Sequence, residues 1–153
     1  MKTINIGGKD YKIEFTIEAS LYNECTTKVT DLMLSLGEAE SRENVKDMIS
    51  TLSDIPQTTL TMFYAGLLEH HGEDGDKSVL SKKDAKKLIK TYFDEHKEDE
   101  TGNFYGVMQL MIECMADDDF FKQIGLTQIT QQSENVPKTP QDHKRKTAKA
   151  TVK

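Results

Sequence analysis

Residues 4–15 read INIGGKDYKIEF, and no other stretch of the 153-residue chain alternates in the same way. Ile4, Ile6, Tyr11, Ile13 and Phe15 fall at every second position on either side of Gly7-Gly8. Apolar residues at a period of two around a glycine pair predict a β-hairpin with a tight turn. A lone hairpin is marginal in water, so this one needs something to pack against. It predicts either a lid on one end of a helical body or an edge that pairs with another copy.

Helical spacing takes over after the hairpin. Ile17, Leu21, Cys25, Val29, Leu32, Met33 and Leu36 predict one helix that stops at Gly37. Val45, Met48, Ile49 and Leu52 predict a short second helix over 41–53, ended by Pro56, which disfavours helix in the residue before it. A third helix is expected over 57–71, with Leu60, Phe63, Tyr64, Leu67 and Leu68 on one face and Gly72 at its end. The sequence SKKD at 81–84 has the form of a capping box and opens a fourth, carrying Ala85, Leu88, Ile89, Tyr92 and Phe93. A fifth, from Phe104, carries Val107, Leu110, Met111, Cys114 and Met115, runs to or breaks near ADDDFF, and ends at Gly125. The expected fold is therefore mainly α: a bundle of about five helices behind an N-terminal hairpin. Residues 1–126 form its one domain.

From Thr127 onward the composition turns to Gln, Ser, Thr, Pro and Lys, with too few large apolar groups to offset the entropy of ordering the backbone. Residues 127–153 are expected to be a disordered basic tail. Six of the 20 Lys and Arg lie there, against two of the 26 Asp and Glu, so the first 126 residues carry a net charge of −10. Such a body repels nucleic acid. The tail has no aromatic side chain for base stacking, and contact with its own acidic body or with a partner is the better expectation.

Several function classes find no support in the residues. The start MKTINIGGKD has no apolar signal segment, and the longest apolar runs fall short of the roughly 18 residues that span a bilayer, which predicts a cytoplasmic protein with no membrane partner. Cys25 and Cys114 each sit on an apolar helical stripe and read as reduced core thiols. His70 and His71 lie among Glu69, Glu73, Asp74 and Asp76, but neighbouring helical positions diverge by about 100°, so they do not converge on a metal. An EF-hand beginning at Asp74 lacks its glycine and its final glutamate. The histidines read as part of a solvated loop, and the runs EDE at 98–100 and DDD at 117–119 as solvated surface. No nucleophile motif or phosphate cradle occurs, so no enzyme, metal or cofactor is expected.

The last helix carries the strongest hint of a partner. Leu110, Cys114 and Val107 occupy one side of its apolar arc; Phe104, Met108, Met111 and Met115 occupy the adjoining side. Together they span roughly 160°, and about 200° with Ile112, more than one-sided packing uses. Two surfaces need cover. Methionine adapts to varied apolar partners, so Phe104, Met108, Met111 and Met115 are the candidate partner-binding residues, with core filling as the alternative. Ile4, Ile6, Tyr11, Ile13 and Phe15 are the candidates for self-association.

A hairpin with a glycine turn leading straight into an amphipathic helix, as in INIGGKDYKIEFTIEASLYNE, followed by an acidic helical body, resembles the tail assembly chaperones of long-tailed, siphovirus-type bacteriophages. The residue pattern covers 2–36; the architecture covers 1–125. The resemblance implies a non-enzymatic protein of the host cytoplasm, acting in several copies. Its client is the tape measure protein, which it keeps soluble while the tail tube polymerises around it. It also implies, for a frameshifted longer product, recruitment of the tail tube protein. A reading of another class is an acidic regulatory protein that mimics nucleic acid and occupies a basic site on a nucleic-acid-binding partner.

Overall fold

A computed structural model describes residues 1–38 and 45–134. Two antiparallel strands, β1 (Lys2–Ile6) and β2 (Lys9–Ile13), come first. Seven helices follow among the described residues: α1 (Ile17–Leu21), α2 (Asn23–Glu38), α3 (Val45–His71), α4 (Lys82–Glu95), α5 (Phe104–Asp117), α6 (Phe120–Gln123) and α7 (Leu126–Glu134). The mainly helical fold with an N-terminal hairpin is as the periodicity predicts. The chain divides into more helices than the five expected.

The hairpin register places Ile4 opposite Tyr11 and Ile6 opposite Lys9. Gly7 and Gly8 both have positive φ, at 61° and 76°, which a two-residue type I′ turn requires at both positions. Ile6, Tyr11, Ile13 and Phe15 face inward and are buried, with Ile13 and Phe15 fully enclosed. The sheet lies on α3. A Cβ at Gly66 would come within 2.7 Å of Ile13 Cγ2 and 3.1 Å of the Phe15 ring, so glycine is what lets α3 approach the strand this closely. Gly66 also uses its carbonyl to accept the Glu14 amide at 2.9 Å.

Several helical boundaries differ from expectation. The helix predicted over Ile17–Leu36 breaks at Tyr22, whose ψ of 89° ends α1. The Tyr22 carbonyl accepts the Cys25 amide at 2.9 Å and so starts α2 in a new direction. Its ring meets Tyr64 edge-on at 5.6 Å, so a tertiary contact fixes the bend. Gly37 does not stop α2, which continues to Glu38.

The helices predicted over 41–53 and 57–71 are one: α3 passes through Pro56. Residues 41–44 lie outside the described residues. Proline removes one amide donor and disfavours helix before it, but α3 is the central helix, packed by α2, α4, α5 and the hairpin. Thr58, Thr59, Thr61 and Met62 are buried directly after the proline, and their packing outweighs the lost bond.

The capping signal at Ser81 holds. Ser81 Oγ accepts the Asp84 amide at 3.3 Å and opens α4, while the Asp84 carboxylate accepts the Ser81 hydroxyl rather than its backbone amide. Asn103 Oδ1 accepts the Gly106 amide at 2.9 Å and opens α5. Asp119, in the left-handed region at φ 57°, turns the chain from α5 into α6, and Gly125 at φ 78° turns it into α7. Residues 127–134 are therefore helical where disorder was expected; residues 135–153 lie outside the described residues.

Candidate interaction surface

The four partner-binding candidates on α5 do not form an open groove. Met111 and Met115 have no exposed surface, and Met108 keeps 4%. Phe104 is partly buried and meets Phe93 of α4 edge-on at 5.0 Å. The wide apolar arc is real, but it is covered from within: α3 packs along α5, and Ile4, Phe63, Ile89 and Tyr92 gather around Val107 and Leu110. What α5 turns outward is Tyr105, Gln109 and Glu113, spaced four apart. The expectation of an exposed methionine surface is corrected to core filling. A helix buried between two layers needs a wide arc without any partner.

The self-association candidates divide as well. Ile6, Tyr11, Ile13 and Phe15 belong to the core of the chain itself, and Ile4 alone keeps partial exposure. Their apolar faces serve the hairpin's role as a lid.

The histidines are structural rather than solvated. His71, 5% exposed, accepts the Lys12 amide at its Nε2 at 3.0 Å. Its Nδ1 therefore carries the proton, placed 3.0 Å from Asp76 Oδ2 and 3.2 Å from Ser78 Oγ. Ser, His and Asp thus meet in one cluster. Yet both Ser78 and Asp76 lie at Nδ1 and the backbone occupies Nε2, so no ring nitrogen is left to take a proton from a nucleophile. His70 points away and bonds Glu14 at 2.7 Å. Together the pair fastens strand β2 to the end of α3. Asp76, bonded foremost by the Ser78 hydroxyl, then by the Ser78 amide and His71, is held well below the usual carboxylate range. No group of three or more His, Cys, Asp and Glu among the described residues could hold a metal ion.

Other conspicuous polar residues are also committed to the fold. Asp118, within the DDD run, accepts the Phe15 amide at 2.9 Å and pairs with the Met1 ammonium, so that run is partly a buried anchor and not simply solvated surface. Glu24 gathers Lys82, Tyr22 and Thr61, joining α2, α3 and α4, and these donors lower its pKa. Cys25 and Cys114 are buried free thiols, as their stripe predicts; burial pushes the Cys25 thiol up to about 12 and raises Cys114 too. Neither is poised as a nucleophile.

Among the described residues, large apolar side chains stay exposed at several points, Leu34, Leu80, Tyr105 and Ile129 among them, and the two most exposed lie on α1. Ile17 and Leu21, one turn apart, are 69% and 73% exposed. Glu18 between them lines a groove of about 220 Å³ whose other walls include Tyr64, Leu68 and Leu80 with Glu73 and Asp74. Burial, with Glu73 and Asp84 nearby, raises the Tyr64 phenol. Periodicity could not single these residues out, because Ile17 and Leu21 continue the same stripe as Cys25 and Val29. Only the break at Tyr22 turns them away from the core. No helix among the described residues is long and apolar enough to cross a membrane. Compared with protein-family models, curated proteins and solved structures, the chain matches none.

Proposed function

We propose that this chain is a tail assembly chaperone of a long-tailed bacteriophage, acting without catalysis in the host cytoplasm: it binds the helical tape measure protein, keeps it soluble and assists tail tube polymerisation. The observation that carries the reading is the exposed pair Ile17 and Leu21, which follows the hairpin directly and shares α1 with Glu18, a wall of an acid-lined groove. Large aliphatic side chains left in water one helical turn apart offer a seat to an apolar helix. The acidic rim of Glu18, Glu73 and Asp74 keeps client-loaded copies soluble and favours a client with cations flanking its apolar stripe. The resemblance of residues 2–36 to that family supports the same reading.

Co-expression tests it. An aggregating fragment of the tape measure protein becomes soluble beside this chain and co-purifies with it. The double variant Ile17→Asp and Leu21→Asp keeps its helical circular dichroism and loses most of that effect. If the unaltered chain leaves the fragment insoluble, the proposal fails. Retention of the complex in about 0.5 M salt further separates apolar capture from nucleic-acid mimicry, whose ionic contacts are screened.

A further inference from the structure

The two edges of the hairpin are treated differently. In a hairpin with a two-residue turn, Ile6 and Lys9 exchange ladder hydrogen bonds, and bonded and non-bonded pairs then alternate. The main-chain groups of Thr3 and Asn5 on β1, and of Asp10 and Lys12 on β2, therefore point away from the ladder. On β2 this edge is capped by α3, where His71 accepts the Lys12 amide and Gly66 accepts the next outward amide, that of Glu14. On β1 the outward amides and carbonyls of Thr3 and Asn5 meet no partner among the described residues.

This edge carries only part of the usual protection: the strand is short and α4 touches it, yet the backbone groups of Thr3 and Asn5 stay unbonded among the described residues. β1 contains no proline and no bulge, and its one charged residue, Lys2, stands at its end, 3.6 Å from Glu113 of α5. Ile4, at its centre, is the one inward-facing apolar residue of the sheet that the bundle leaves partly uncovered.

We propose that the free edge of β1 is a docking edge for a second copy of this chain, which pairs with it antiparallel about Ile4 to form a four-stranded sheet. That register is the one in which every outward group of both strands finds a partner. Thr3 of each copy exchanges two hydrogen bonds with Asn5 of the other, and the two Ile4 side chains meet as a non-bonded pair. Lys2 falls opposite Ile6, so no like charges face each other. An unrelated strand would meet the backbone equally well, but a second copy also covers Ile4 with the same side chain. The pairing stands independently of the client proposed above.

Sedimentation of the full chain over a concentration series tests it, with two variants that differ only in sign at one position. In this register residue 3 faces residue 5 of the other copy. Thr3→Lys with Asn5→Lys therefore weakens dimerisation by at least about tenfold, whereas Thr3→Glu with Asn5→Lys tightens it. Both positions are exposed, so helical circular dichroism stays unchanged in each. Ile4→Cys forms a disulfide between copies under mild oxidation, since non-bonded cross-strand pairs lie within disulfide reach. A chain that stays monomeric to about 1 mM overturns the proposal, as do a dimer that both double variants leave unchanged and an Ile4→Cys chain that never cross-links.

Discussion

His71 shows how much a single side chain here depends on its neighbours. Its imidazole is an acceptor for β2 through Nε2 and a donor to Asp76 through Nδ1, so the end of α3 and the hairpin share one ring. Replacing His71 with Phe keeps the ring volume but leaves the Lys12 amide without its acceptor, and chemical denaturation should show a loss of about 1–3 kcal/mol. Asp76 supplies a pH dependence with a definite sign. Its folded carboxyl is held below its unfolded value, so its contribution is complete above about pH 4 and is lost as pH falls through the folded value. Stability followed from pH 6 to pH 2 should therefore fall less steeply in Asp76→Asn. Gly66 is the tightest contact between hairpin and helix. Gly66→Ala drives a methyl into Ile13 and Phe15 and should cost about 1–3 kcal/mol, read as a lower urea midpoint at unchanged slope. None of these three roles has a sequence signature. A histidine beside acidic residues reads as solvated, and a glycine inside a helical stripe reads as a minor cost.

Helices and strands follow local rules until a contact between them overrides the rule. The hairpin, the start of α4 at Ser81 and the start of α5 at Asn103 lie where turn and capping chemistry put them, because those signals satisfy backbone groups within four residues. Pro56 and Tyr22 go the other way. Proline is a reliable break when nothing else holds the helix; in α3 the buried threonines after it keep the helix continuous through it. Leu52, whose carbonyl loses its donor at Pro56, is exposed and can turn to water. Pro56→Ala restores that bond and should raise stability by about 1–3 kcal/mol in urea titration, with little change in helical signal. Tyr22, an ordinary helix residue by propensity, ends α1 because its ring is taken by Tyr64 and its hydroxyl by Glu24. A proline placed at Ile13 tests the hairpin's role as a lid. Ile13 is fully enclosed, so the substitution should collapse the lid and the near-core packing with it, seen as lost cooperativity in thermal unfolding.

In the assembled chain the hairpin closes one end of the bundle and α3 runs through its centre, which leaves α5 no free apolar face. The apolar pair proposed to receive a client, Ile17 and Leu21, is on α1, and the backbone proposed to receive a second copy is at β1. These are neighbouring but distinct regions, so Ile17→Asp with Leu21→Asp should abolish client capture while sedimentation still shows the dimer. Composition and periodicity were enough for the fold class, the hairpin with its glycine turn, the starts of α1, α4 and α5 and the buried thiols, because each depends on residues close in the chain. They could not tell which side of a wide apolar arc faces water, which histidine is buried or which strand edge is open. Those outcomes depend on what packs against a residue from more than about 40 positions away. Met111 and Ile17 are equally apolar letters; α3 covers one, and the bend at Tyr22 exposes the other.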